Sequence, residues 1–248
     1  MSYHLYHTPA FVLGSAPRGE GSKLVSLFTR ELGFLTAIAQ SAREERSKLR
    51  YGLQDFSYSD ITLVRGKEFW RLTRAECVEN VFEELQGSKE AVRMLGRIFS
   101  LLRRLLAGEE RNEPLFVAVL EGVQFIKSDY SPFVKGSGES ASRGILNPTD
   151  FVQERSDWLQ NRSALDLSWP PVHQNEPPPF KKEEQIAGVE IVLVLRILYF
   201  LGYLAPRNEF DPFLSHANLW DESVISKALL FRTLAVSEIN NSLKESQL

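Results

Sequence analysis

Between Lys23 and Ala39 the chain reads KLVSLFTRELGFLTAIA, two alternating runs separated by a short loop. Val25, Leu27 and Thr29 fall on one side of the first run, and Leu24, Ser26 and Phe28 on the other. In the second run Phe34, Thr36 and Ile38 alternate with Leu35, Ala37 and Ala39. Period two on both sides of a loop of roughly 3–5 residues is the pattern of a β-hairpin. Gly33 supplies a residue that tolerates positive φ at the turn. The next stretch, SAREERSKLR, is a basic loop. A compact β-unit beside clustered Arg and Lys points to a surface that holds a polyanion.

The neighbouring segments extend the β pattern. Residues 4–13 read as a first strand bent at Pro9, followed by a turn from Gly14 to Gly21 with Arg18 and Glu20 at its tip. Residues 43–52 leave room for one short helical turn. Phe56 to Val64 alternates again, Arg65-Gly66-Lys67 is a turn, and Phe69 to Ala75 closes the set. Five short strands with an excursion between the third and fourth fit an OB-type barrel, with an SH3-like barrel as the rival topology.

After Ala75 the period changes. Val78, Val81, Phe82 and Leu85 have helical spacing. Gly87 ends that helix, and Ser88 caps a second that runs to about Leu106 with two apolar stripes. Asn112 caps a third, with Pro114 in its first turn, running to about Ile126. Residues 128–184 are rich in Ser, Gly, Pro and charge and predict a mobile insertion, with an isolated helix over 149–161. Order returns at Ile186. The apolar run from Ile191 to Ala205 contains Arg196 and is shorter than the ~18–20 apolar residues of a membrane span, so a buried core helix is expected and no membrane contact. A last helix starts near Asp221, with Val224, Ala228, Phe231, Leu234 and Ala235 on one face. The fold class is therefore α+β, an N-terminal barrel over 1–76 followed by a helical domain over 77–248.

The stretch from Phe11 to Phe56 resembles the N-terminal domain of the RecO family of bacterial DNA repair proteins. The resemblance rests on an apolar strand, the Arg18-Gly19-Glu20 turn, the Leu-Phe-Thr-Arg-Glu-Leu-Gly hairpin from Leu27 to Gly33, the Ala42-Arg43 basic loop and Leu53-Gln54-Asp55-Phe56. LRILYFLGYLAP, from Leu195 to Pro206, is similar to a second family segment. Together the two cover about a third of the chain. The resemblance implies an OB-fold, no enzymatic step and a bacterial cytoplasmic, nucleoid-associated address. It implies a recombination mediator that binds and anneals single-stranded DNA, engages the C-terminal tail of single-stranded-DNA-binding protein, and with RecR helps load RecA. Double-stranded DNA is a further expected ligand.

Net charge is −3, so bulk electrostatics give no pull toward nucleic acid, but the distribution does. Residues 40–75 hold eight Lys or Arg against five Asp or Glu, whereas residues 81–248 hold 18 against 23. Arg18, Lys23, Arg43, Arg46, Lys48, Arg50, Lys67 and Arg71 are the candidate DNA-binding residues, with Arg74 beside them. Tyr51, Phe56, Tyr58 and Trp70 are candidate stacking platforms. A solvated surface with internal ion pairs accounts for the same charges, since Glu44 and Glu45 lie among them. On the second helix Arg93, Arg97, Arg103 and Arg104, with Arg111 beyond it, suggest a groove rimmed by cations. The resemblance makes Arg103 and Arg104 the candidates for docking an acidic, aromatic-ended tail.

Other chemistry finds little support. Many members of the family carry a cysteine-rich zinc site after the Leu-Gly-Tyr segment; here only His216 follows Tyr203, Cys77 is remote, and His4 and His7 face opposite sides, so no metal or cofactor is expected. No Gly-rich phosphate loop, HExxH or GxSxG is present, and Cys77 reads as a small core residue. A single cysteine and the lack of a signal-peptide pattern point to the cytosol. An OB-fold RNA-binding or adaptor module, and a pure interaction scaffold, remain the alternatives from other functional classes.

Overall fold

A computed structural model describes residues 4–130, 182–205, 207–214 and 220–245, all within one compact unit formed by Met1–Gly136 and Phe180–Leu248. Five strands come first: β1 (Leu5–Arg18), β2 (Ser22–Thr29), β3 (Gly33–Ala39), β4 (Ser57–Arg65) and β5 (Trp70–Asn80). They close into a barrel in the order β1-β2-β3-β5-β4. All pairs are antiparallel except β3 and β5, which run parallel over Ala37–Ala39 and Trp70–Leu72. A short helix, α1 (Leu49–Gly52), lies between β3 and β4. This is the OB-fold expected from the sequence. The barrel interior holds Ala10, Val12, Val25, Leu27, Leu35, Ala37, Ile61, Leu63, Trp70 and Leu72.

The hairpin forms in the expected register, with Leu27 opposite Leu35 and Phe28 opposite Phe34. Gly33 has φ +70. Its Cα faces the chain at Glu110: an added Cβ would lie 2.7 Å from the Glu110 carbonyl carbon and closer still to the oxygen. The Phe34 amide donates to the Gly108 carbonyl at 3.2 Å. The hairpin is thus held by a segment some 75 residues downstream in sequence, between the second and third long helices.

Those helices are α2 (Val81–Leu85), α3 (Lys89–Leu105), α4 (Glu113–Tyr130), α5 (Lys182–Phe200), α6 (Asp211–Leu214), α7 (Glu222–Leu230) and α8 (Arg232–Glu245). The Ser88 hydroxyl accepts from the Ala91 amide, and the Asn112 and Asp221 side chains accept from Leu115 and Val224. The caps at Ser88 and Asn112 stand where the sequence puts them, and Asp221 caps the helix expected to start near it, each contributing about 1 kcal/mol. The apolar run after Ile191 is a core helix: Val192, Leu193, Leu195, Ile197 and Leu198 are fully buried. Among the described residues no helix is long and apolar enough to cross a membrane.

One outer side of the barrel is closed by these helices. Phe11 on β1 and Phe28 on β2 point outward and meet Phe116 on α4 at ring separations of 5.6 and 5.3 Å. Phe99 on α3 and Tyr58 on β4 complete the seam against Phe11. Phe11, Phe28, Phe99 and Phe116 are buried, each worth about 1.5–3 kcal/mol on removal from water. Burial, followed by the nearby Asp60 carboxylate, pushes the Tyr58 hydroxyl up to about 12, so it stays protonated.

Several local expectations need correction. β1 does not break at Pro9 or turn at Gly14: it continues to Arg18, and its irregularity is a bulge between Val12 and Gly14. The pairing with β2 resumes after the bulge and outweighs the turn-like composition. β5 does not end at Ala75 but runs to Asn80, so Val78 lies on a strand and is half exposed. The helix starts only at Val81, where the Asn80 side chain caps the Glu83 amide. The C-terminal helix is two helices broken at Phe231; Phe231 and Leu234 are exposed, and only Val224, Ala228 and Ala235 of the expected face are buried. The flanking helices extend to Tyr130 and start at Lys182. Between them, the insertion expected at 128–184 and its helix at 149–161 lie outside the described residues, as does His216.

Candidate nucleic-acid interface

α3 and α4 cover Phe11 and Phe28 on β1 and β2; the outer surface toward the other end of those strands lies outside this seam. Its strands align in a row: Ala16 of β1 pairs with Leu24 of β2, Leu24 with Ile38 of β3, and Ile38 with Arg71 of β5. Trp70 and Leu72 point into the barrel, so Arg71 points out; Phe69 lies in the bend just before β5 and is half-buried. The β1–β2 turn lies just beyond one end of this row and the β4–β5 turn just beyond the other. Arg18, the last residue of β1, stands over the Phe69 ring of the β4–β5 turn, with its guanidinium carbon 4.5 Å from the ring centre.

The loop after β3 joins the same edge. The Arg43 amide donates to the Gly21 carbonyl at 2.9 Å, and its guanidinium to the Gly19 carbonyl at 3.2 Å. Arg43 is therefore anchored on the turn that follows Arg18. Lys67 lies on the β4–β5 turn two residues before Phe69. The structure thus brings Arg18, Arg43, Lys67 and Arg71 to one edge of the barrel. Arg46, Lys48 and Arg50 are exposed along the loop and α1. Lys23 differs: it shares the inward side of β2 with Val25 and Leu27 and is half-buried at the barrel end. None of these eight cations has a carboxylate within ion-pair distance among the described residues, although Glu44 and Glu45 are close in sequence. Arg74, by contrast, pairs with Glu76 at 2.7 Å.

Of the four expected aromatic platforms, Tyr51 alone is well exposed, at 70%. Trp70 is 5% exposed in the barrel core, and its indole N–H donates to Glu109 at 2.7 Å. Tyr58 belongs to the seam. Phe56 stacks between Phe82 and Phe99, at 6.3 and 5.5 Å, with a left-handed backbone, φ 69. That conformation costs about 1–2 kcal/mol, offset by its burial between two rings. Phe69 was missed by the sequence reading. Parity was an available signal for Trp70, which is inside if Leu72 faces inward, but Phe69 lies before the strand, where parity does not reach.

Residues 1–81 match the family model described as "Recombination protein O N terminal". That match takes in the five strands of the barrel and none of the long helices. Among similar proteins are the "DNA repair protein RecO" of Heliobacterium modesticaldum, 36% identical over 118 residues (48% of this chain and 42% of the relative), and that of Pelotomaculum thermopropionicum, 32% identical over 122 residues (49% and 47%). The one from Alkaliphilus metalliredigens is 29% identical over 143 residues, 51% of this chain and 58% of the relative. The chain spans about half the length of the curated relatives it matches.

The cation-rimmed groove lies between β1 and α3. A cavity of about 700 Å³ opens between the β1 bulge at Leu13–Gly14, Asp55 and Phe56, and the α3 residues Arg93 to Arg104. Arg93 pairs with Glu90 at 2.7 Å, and Arg97 holds Glu190 of α5 through two bonds of 2.6 and 2.7 Å. Arg103 and Arg104 are exposed and have no carboxylate partner among the described residues. Arg103 crosses the face of Gly14, where an added Cβ would come within 2.9 Å of its guanidinium. Arg111 lies apart from the groove, paired with Glu113.

Neither metal chemistry nor a nucleophile gains support. Among the described residues no three His, Cys, Asp or Glu side chains cluster to hold an ion. His7 is bonded to Thr62 at 3.0 Å, and His4 packs on Tyr6. Cys77 is exposed rather than in the core, because β5 continues through it. Crowding around its sulfur, followed by the Glu83 carboxylate, pushes the thiol up, away from the thiolate a nucleophile requires.

Proposed function

We propose that this chain is a DNA repair mediator that binds single-stranded DNA on the barrel surface outside the seam and anneals complementary strands. The observation that carries this reading is the set of seven exposed cations, Arg18, Arg43, Arg46, Lys48, Arg50, Lys67 and Arg71, with no carboxylate partner among the described residues, on a barrel that resembles the RecO N-terminal domain. Cations of this kind displace the ions condensed on a phosphate backbone and screen two strands from each other. No bond is made or broken; the work is electrostatic. Duplex DNA is a second ligand through the same phosphates. On this reading the barrel is the nucleic-acid domain, the helical part is the partner domain, and the setting is the bacterial cytoplasm at the nucleoid. The resemblance to RecO proteins supports cooperation with RecR and delivery of RecA to coated strands, which would use the same complex.

The groove supports a partner role. Its apolar lining at Leu13, Phe56 and Leu101, with Arg103 and Arg104 at the rim, suits an acidic chain end carrying an aromatic residue. The C-terminal tail of single-stranded-DNA-binding protein has that chemistry. Arg103→Glu combined with Arg104→Glu should weaken binding of this tail peptide roughly ten-fold or more, measured by fluorescence anisotropy, since like charges at a rim cost affinity. Single-strand binding should stay near wild type. Unchanged peptide affinity in a folded double variant removes the groove as the docking site.

The primary test is annealing of two complementary oligonucleotides across a salt series. Salt-dependent binding with acceleration of annealing supports the mediator. Salt-dependent binding without acceleration supports an RNA-binding or adaptor module instead, and no nucleic-acid binding at all leaves a protein scaffold.

A further inference from the structure

The barrel surface outside the seam carries two kinds of group, and phosphates account for only one of them. Leu24 and Ile38 are half-buried apolar residues in the middle of the outer row, flanked by Arg71 and by the Arg18–Phe69 stack. A surface built for phosphate alone needs no ring and no aliphatic floor. Arg18 also differs from the other cations in how it is held. A flexible cation on a turn samples many positions, whereas this guanidinium is laid over a ring. A guanidinium is flat, weakly hydrated and able to stack, which an ammonium is not. Its carbon lies 4.5 Å from the Phe69 ring centre, and Arg18 is exposed at the end of an apolar strip.

We infer that Phe69 and Arg18 together form a base-stacking platform, on which an unpaired nucleobase lies against the guanidinium while Arg43, Lys67 and Arg71 take the flanking phosphates. This inference rests on the proposal that the barrel binds single-stranded DNA, and it adds that bases are contacted as well as backbone. It also supplies a physical reason for preferring single strands: in a duplex the base faces are already stacked on each other and unavailable, while an unpaired strand offers every one of them. Stacking on a π-face is tolerant of sequence, so the platform discriminates pairing state without reading base identity.

The test compares oligo-dT with an abasic phosphodiester chain of the same length, over a salt series, for the wild-type protein, Arg18→Lys and Phe69→Leu. Arg18→Lys keeps the charge and removes the plane; Phe69→Leu keeps an apolar side chain and removes the ring. The wild type should bind oligo-dT roughly ten-fold or more tightly than the abasic chain. Both variants should lose most of that preference while their salt slopes on the abasic chain remain those of the wild type. Equal affinity of the wild type for the two chains overturns the platform and leaves phosphate binding standing. Retention of the preference in both variants also overturns it, since the bases would then be held elsewhere. Absence of salt-dependent binding to either chain overturns the DNA-binding reading and the platform with it.

Discussion

Gly33→Ala is expected to lose about 3 kcal/mol of stability, combining the left-handed backbone with a collision against fixed main chain. At φ +70 a side chain costs about 1–2 kcal/mol on its own. The added Cβ would also strike the Glu110 carbonyl, which is main chain and has no rotamer to change. The strand can relieve that contact only by drawing away from the Gly108–Glu110 segment, which gives up the Phe34–Gly108 hydrogen bond. A natural domain has roughly 5–15 kcal/mol in total, so a loss of this size is a large fraction of it. Urea unfolding followed by circular dichroism measures it. Gly19→Ala is the matched control: its φ is +64, but nothing lies within 4 Å of an added Cβ, so only the backbone cost should appear. Equal losses for the two variants would show that the close approach to Glu110 contributes nothing.

Removal of the loop cations should have the largest effect on function. Arg43, Arg46, Lys48 and Arg50 replaced together by Ala should flatten the salt slope of single-strand binding by up to about 3, at roughly 0.7 per lost phosphate contact. Between 50 and 200 mM salt, that change alone is worth roughly 50-fold in affinity. Annealing should slow with it, because the same charges would screen both strands. All four residues are exposed and none holds an ion pair among the described residues, so the melting temperature should change little. The one bond at risk is that from the Arg43 guanidinium to the Gly19 carbonyl, an exposed contact. A folded quadruple variant with wild-type affinity at every salt concentration would mean that DNA does not bind here, and the adaptor reading would move ahead.

The elements that were legible in the sequence are those whose determinants are local. The β2–β3 hairpin, its Gly33 turn and the caps at Ser88, Asn112 and Asp221 each depend on a few adjacent residues. Illegible features were decided by distant partners. Gly14 looks like a turn residue in a local window, but it is a bulge because β2 continues to pair with β1 beyond it. Val78, Val81, Phe82 and Leu85 have helical spacing, yet β4 claims the chain as far as Asn80. The cations followed the same division. Their excess near residue 43 can be counted, but whether each is neutralised cannot: Arg74 is paired by Glu76, and Arg97 by Glu190, 93 positions away. Trp70, a candidate platform by residue type, is buried because it shares the inward side of β5 with Leu72.

The ring seam between the barrel and α3–α4 decides where this chain can be cut. A fragment ending at residue 81, where the match to the family model stops, retains all five strands and loses Phe99 and Phe116. Phe11, Phe28 and Tyr58 would then face water side by side, together with the unpaired Phe34 amide once served by Gly108. Contiguous apolar surface of this kind drives association between copies. The isolated five-stranded piece should therefore be recovered as aggregate; a piece carried on to Tyr130 keeps both walls of the seam but bares the faces of α3 and α4 that pack against α5. The match to the family model stops at the last strand, while the walls that cover the barrel come from helices beyond it.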